Sequence, residues 1–224
     1  MFLEIKGLLN PAEVARLTAL SEELDFVDGR ITNPNHPAKH NLQITGDFKN
    51  PKHVESAKIV AAAFPRSREF CAFAFPTRTS IPILSRYDPG MKYGVHADGA
   101  YLPIAQNTVI RTDLSATVFI ADPATYEGGE LVIHLGTRSV SFKGAPGDAI
   151  VYPSTMLHEV RPVRSGSRLV SLVFIESKIA DEHRRKQLYE LSEVAVLEGD
   201  KMSAENRARF EVVLENLMRM WSDK

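Results

Sequence analysis

His96 and Asp98 stand one residue apart in a segment, Tyr93 to Asp98, with the alternation of a β-strand. Side chains at i and i+2 of a strand point to the same face, so this spacing would deliver an imidazole and a carboxylate to one point. Alone, a His-x-Asp pair is weak: a surface histidine beside a turn aspartate has the same signature. His158 lies sixty residues after Asp98, in Tyr152-Pro153-Ser154-Thr155-Met156-Leu157-His158. Two histidines and one carboxylate form a facial triad that leaves positions open on an octahedral iron, as a bidentate cosubstrate and O2 require. Ten residues further on, Arg168 opens an apolar strand. Its planar fork pairs two-pronged with a carboxylate, so an arginine facing a metal cavity would hold the far end of a dicarboxylate.

These four residues need a scaffold that brings distant segments together. From Pro82 to Ser177 short β-rich runs recur at Ile83–Tyr87, Tyr93–Asp98, Ser115–Ala121, Glu130–Leu135, Arg138–Phe142, Ala149–Tyr152, Leu157–Val163 and Arg168–Glu176. Turn formers separate them, among them Asp88-Pro89-Gly90, Glu127-Gly128-Gly129, Ala145-Pro146-Gly147-Asp148 and Ser165-Gly166. Such strands without helical patterns between them predict an antiparallel sandwich or jelly roll, mainly β with flanking α-helices. Before them, Asn10-Pro11-Ala12-Glu13 predicts a capped helix over 11–24, and a second helix is expected from Lys52 to Ala63, ending before Pro65. The polar stretch Asp28 to Asn50 reads as a long loop with one short strand. After Ile179 the helical period returns. Leu188, Leu191 and Val194 or Ala195 share a face, Gly199-Asp200 breaks it, and Ser203 caps a last helix carrying Phe210, Val213, Leu214, Leu217 and Trp221. The chain divides into an N-terminal support region (1–76), a β domain (77–178) and a C-terminal helical extension (179–224).

A length of 224 residues suits one large domain or a domain with an appendage. With 27 Lys plus Arg against 28 Asp plus Glu, the chain has no electrostatic footprint for nucleic acid or an anionic membrane. The longest strongly apolar stretch, Leu169 to Ile175, is far short of the roughly 20 residues that span a bilayer. The opening residues carry Glu4 and no basic region before an apolar run, so no secretory leader is expected. Cys71, the only cysteine, forbids an internal disulfide and a cysteine metal cage; a cytoplasmic protein is the expectation.

The motif set resembles a known family. Residues of about 77–178 are similar to the prolyl 4-hydroxylase-like branch of the Fe(II)- and 2-oxoglutarate-dependent dioxygenases, through His96-x-Asp98, His158 and Arg168 in order and spacing. Ser85-Arg86-Tyr87-Asp88-Pro89-Gly90, Asp113-Leu114-Ser115-Ala116-Thr117-Val118-Phe119 and Gly128-Gly129-Glu130-Leu131 sharpen the likeness towards the bacterial PKHD-type hydroxylases, over nearly the whole chain. The resemblance implies a double-stranded β-helix (jelly roll), Fe(II), 2-oxoglutarate as cosubstrate, O2, and ascorbate as reductant. It implies His96, Asp98 and His158 as iron ligands, Arg168 at the distal carboxylate of 2-oxoglutarate, and Tyr87 beside it. The expected activity couples oxidative decarboxylation of 2-oxoglutarate to hydroxylation of a small-molecule or peptide substrate it does not name, with an association with iron homeostasis. A noncatalytic jelly-roll sensor of Fe(II) or 2-oxoglutarate is the alternative. A zinc hydrolase could use the same ligands but would not need Arg168.

Lys39 and Asn41, in Pro37-Ala38-Lys39-His40-Asn41, resemble a subfamily string and are candidates for the substrate entrance. His36, His40 and His53 lie in or near the polar loop and read as solvated, and His134 as an ordinary strand residue. Cys71 reads as a buried small hydrophobe. Ser154 lacks a Gly-x-Ser-x-Gly context, which leaves a serine hydrolase unsupported. The apolar C-terminal helices suggest a homodimer interface.

Overall fold

The computed structural model describes residues 1–34, 36–45, 49–105 and 108–223. Its strands are β1 (Leu3–Ile5), β2 (Phe26–Asp28), β3 (Lys39–His40), β4 (Leu42–Ile44), β5 (Pro76–Thr79), β6 (Ile83–Tyr87), β7 (Lys92–His96), β8 (Tyr101–Ala105) and β9 (Thr108–Arg111). The chain continues through β10 (Leu114–Phe119), β11 (Glu127–Gly128), β12 (Leu131–Leu135), β13 (Arg138–Phe142), β14 (Ala149–Pro153), β15 (His158–Val160), β16 (Val163–Ser165) and β17 (Arg168–Ser177). The helices are α1 (Pro11–Glu23), α2 (Pro51–Ala63), α3 (Arg68–Ala74), α4 (Glu182–Glu198) and α5 (Ala204–Trp221).

The major sheet runs β1-β14-β10-β17-β6-β4-β2, with β5 also on β17, and the minor sheet runs β13-β12-β15-β7-β3. All pairings are antiparallel, the jelly-roll arrangement expected from the turn spacing. The major sheet is covered on both faces. Its outer face meets α1, α2 and α3 through Leu17, Leu20, Val60, Phe64 and Phe70. Its inner face meets the minor sheet through Tyr87, Phe119, Leu131, Ile133, Tyr152 and Val160. Every residue of β10 and β14 is therefore buried, with no polar-out alternation.

The first helix begins as the sequence predicts: the Asn10 side chain accepts from the Glu13 amide, and the Glu13 side chain accepts from the Asn10 amide. Ser203 likewise caps α5. Other expectations need correction. The stretch 28–50 holds two short strands and a 3-10 turn, Gly29–Thr32, where one strand was expected; β3 pairs with β7 and β4 with β6, so this segment crosses from the minor sheet to the major one. Its residues 35 and 46–48 lie outside the described part. The run Leu157–Val163 divides into β15 and β16, since Pro162 has no N–H to continue the ladder, and β16 turns away to pair with β11. The β8–β9 hairpin escapes a pattern search because Pro103 interrupts its first strand.

The C-terminal helices pack their inner residues Leu188, Leu214, Leu217 and Trp221 around Phe75 and Ile179. Their outer apolar residues Val196, Leu197, Val212 and Met220 remain exposed. Cys71 is half-buried against the helix-side core rather than fully buried. No described helix is long and apolar enough to cross a membrane.

Candidate metal centre and its cavity

His96 ends β7, and across the ladder its Cα partner is His158, the first residue of β15. Antiparallel register thus brings the two imidazoles together, their rings tilted by 50° with centroids 4.2 Å apart. Asp98 is not on the strand, as i, i+2 spacing suggests, but in the turn beyond it. There its amide donates to the Ser154 carbonyl at 3.1 Å, which draws the turn back over the two histidines. Asp98 Oδ1 lies 3.8 Å from His96 Nε2 and Oδ2 3.7 Å from His158 Nε2. One donor atom from each residue falls within 4.8 Å of the others, a separation that one ion can bridge.

The fold fixes which nitrogen each histidine presents. His96 Nδ1 lies 2.7 Å from the Gly94 carbonyl and His158 Nδ1 2.9 Å from that of Met156. A carbonyl only accepts, so each Nδ1 carries the proton and each Nε2 offers its lone pair inward. Asp98 is held by a hydroxyl chain: Ser115 Oγ lies 2.5 Å from Asp98 Oδ2, and Ser154 Oγ lies 2.7 Å from Ser115 Oγ. Tyr93 stacks on His96 with centroids 3.6 Å apart, and His36 meets both rings edge-on. Burial, reinforced by the neighbouring His158, pushes His96 down to about 3, while burial pushes Asp98 up against the opposing pull of His158 and the Ser115 hydrogen bond. Both shifts have the same physical origin, since burial penalises the charged form of either group.

Arg168 enters from the opposite wall. On β17 it pairs directly with Tyr87 of β6, and its guanidinium carbon sits 5.0 Å from the Tyr87 ring centroid. It is 1% exposed, yet Nε, Nη1 and Nη2 have no hydrogen-bond partner among the described residues. Burial pushes the Tyr87 and Tyr126 phenols up, and the guanidinium pulls both the other way. Gly129 makes room for this side chain: its φ is +68°, and a Cβ there would sit 3.0 Å from Arg168 Cδ. Five buried donors without an acceptor are costly, so the arrangement fits an anion delivered from outside the chain.

A cavity of about 300 Å³ joins the two walls, at the lower end of the roughly 300–1,000 Å³ usual for small-molecule sites. It is lined by His96, Asp98, Tyr87 and Arg168, and also by Lys39 and Asn41. Lys39 is buried, which lowers its ammonium to about 8 against the pull of Asp98 and Asp28. Asn41 Nδ2 donates to Ser85 Oγ at 2.8 Å. Sequence reasoning missed Ser115 and Tyr93 and weighed Ser154 only as a nucleophile; the string around Ser115 was in view, but nothing in a serine's neighbours along the chain announces a carboxylate from another segment. His36 borders the site rather than being solvated. His53 is buried on α2, and His134 faces Glu159 at 3.6 Å.

Residues 82–176 match the 2OG-Fe(II) oxygenase superfamily. A PKHD-type hydroxylase of Sphingopyxis alaskensis is 45% identical over 214 residues, 96% of each chain, and the PKHD-type hydroxylase YbiX of Escherichia coli is 37% identical over the full length of both. Among solved structures, a Pseudomonas putida prolyl-4-hydroxylase superposes with a TM-score of 0.54 at 15% identity, covering 79% of this chain and 92% of that one, which shows a shared fold. Identity at that level over whole chains, with a donor set and an unpaired guanidinium that suit Fe(II) and 2-oxoglutarate, establishes that the chain belongs to the PKHD-type hydroxylases, dioxygenases that use Fe(II), 2-oxoglutarate and O2.

Proposed function

We propose that His96 and His158, through Nε2, and Asp98, through its carboxylate, hold the iron, and that Arg168 with Tyr87 holds the far carboxylate of 2-oxoglutarate. The observation that carries this is the pairing of a preformed His-Asp-His cluster with a buried, partnerless guanidinium across one cavity. When bound, the iron and 2-oxoglutarate supply the O2-dependent oxidation that hydroxylates a C–H bond. The chain's own part is positional. The carbonyls of Gly94 and Met156 keep both Nε2 atoms deprotonated, and Ser115 holds one Asp98 oxygen in place. The sheets on either side exclude water through Leu131, Val160 and Leu172, which protects a reactive centre from side reactions.

We extend the reading to the substrate side, where Lys39 and Asn41 border the cavity and contact the small-molecule or peptide substrate. Ascorbate as reductant and a link to iron homeostasis rest on the resemblance to the family. A cytoplasmic setting is supported by the lone Cys71, and the near-zero net charge argues against nucleic acid or a membrane surface as partner. The exposed apolar residues of α4 and α5 support a homodimer.

The test is to admit O2 to protein reconstituted anaerobically with Fe(II) and 2-oxoglutarate and to follow succinate. Succinate formed by wild type and lost in His158→Ala supports the assignment. Stoichiometric binding without succinate, even with candidate substrates present, would favour a sensor.

A further inference from the structure

The cavity contains a second buried cation for which the iron and 2-oxoglutarate have no use. Lys39 is 8% exposed and lines the cavity from the minor sheet, whereas Arg168 lines it from the major sheet. Lys39 Nζ donates to Thr32 Oγ1 at 2.6 Å and lies 5.3 Å from the Tyr93 ring centroid. The Thr32 hydroxyl can pass its own proton to Gln43 Oε1 or the Gly29 carbonyl, each at 3.1 Å. No carboxylate of the described residues lies within ion-pair distance of Nζ, so two of its three N–H groups have no acceptor there.

A count of charge sharpens this. Asp98 is the sole acid among the described residues lining the cavity. Asp28, the other acid whose charge Lys39 feels, is half-buried on β2 and held by Arg30. In the loaded site the two positive charges of Fe(II) and the one of Arg168 are met by the single charge of Asp98 and the two of 2-oxoglutarate. The Lys39 ammonium is then the one charge left without an opposite, in a place where burial already works against it. A neutral substrate would shut that cation away from water unpaired; an anionic one would neutralise it.

Resting on the dioxygenase reading above, we propose that the substrate is an anionic molecule whose carboxylate or phosphate is received by Lys39, with Thr32 fixing the ammonium. Lys39 is then the residue that selects substrate by charge, at the opposite wall from the cosubstrate's own anchor.

The test uses the full chain in its anaerobic Fe(II)–2-oxoglutarate form, titrated by calorimetry with N-acetylglycine, with its uncharged amide N-acetylglycinamide, and with methyl phosphate. A charge-assisted hydrogen bond is worth roughly 1.5 to 3 kcal/mol, so one of the two anions should bind at least about tenfold more tightly than the amide. The anion that wins distinguishes a carboxylate from a phosphate. Lys39→Met should abolish the preference and Lys39→Arg should retain it, with thermal melts confirming that both fold. Absence of an anion preference in wild type, or its survival in Lys39→Met, overturns the proposal. If Lys39→Met instead weakens 2-oxoglutarate, Lys39 belongs to the cosubstrate site; the proposal fails and the dioxygenase reading stands. Failure of that reading would show separately, as wild type in which 2-oxoglutarate does not perturb the iron at all.

Discussion

The two walls of the cavity are finished to different degrees. At the histidine wall the protein alone satisfies nearly every polar atom: each Nδ1 meets a carbonyl, and Asp98 meets Ser115, which meets Ser154. At the arginine wall a guanidinium is buried with no hydrogen-bond acceptor among the described residues. The first wall is organised before any ligand arrives, and the second is complete only when an anion does. Preorganisation therefore belongs to the metal end, and ligand dependence to the cosubstrate end.

The largest effect should come from removing the anionic ligand. Asp98→Ala should lower iron affinity and 2-oxoglutarate oxidation by more than the 10- to 100-fold typical for loss of an outer partner, measured by metal titration and succinate release. Wild-type turnover in a folded variant would mean the wrong carboxylate has been chosen. At the other wall, Arg168→Lys keeps the charge but loses the fork. The apparent KM for 2-oxoglutarate should rise about ten- to a hundredfold while iron binding changes much less. Arg168→Met sharpens the contrast, since exchanging an unpaired buried charge for an apolar side chain should leave the ligand-free protein as stable or more so, read by urea melts. A marked loss of stability would show that the guanidinium is already satisfied.

Ser115→Ala tests whether the metal end is preorganised. Loss of its hydrogen bond to Asp98 should weaken iron binding about 10- to 100-fold while leaving 2-oxoglutarate affinity per loaded site nearly unchanged. Equal losses for both ligands would erase the distinction between the walls. A different readout, stability rather than ligand affinity, concerns Lys39, whose ammonium is lowered from 10.5 to about 8. Between those values the unfolded chain holds a proton that the folded one has released, so stability rises with pH. Wild type should therefore gain on Lys39→Met as pH is raised from about 8 towards 10.5 in paired urea melts; a constant difference would place Lys39 in water.

The four polar residues that meet across the cavity are legible in the sequence because their types are rare in apolar strands and their order is constrained. What brings them together is less so. His96 and His158 meet through interstrand register, which depends on pairing across sixty-one intervening residues. Asp98 reaches them from a turn, held by a backbone hydrogen bond to Ser154 that no local pattern encodes. Turn formers and alternation locate most strands of the β domain, whereas β1 and β3 are too short to show a period and β8 is disguised by Pro103. Ser115 lies inside the fully buried β10, where a lone hydroxyl gives no sign of its partner.

The most direct measurement of the central claim is an anaerobic titration of the Fe(II)-loaded protein with 2-oxoglutarate, following the visible absorption that arises when the keto acid chelates the metal. Wild type should develop the band at one equivalent of iron, His158→Ala should not develop it, and Arg168→Lys should develop it only at about ten- to a hundredfold higher 2-oxoglutarate. A wild-type band that survives unchanged in both variants would contradict the assignment of iron to the His96, Asp98 and His158 cluster and of the cosubstrate to Arg168.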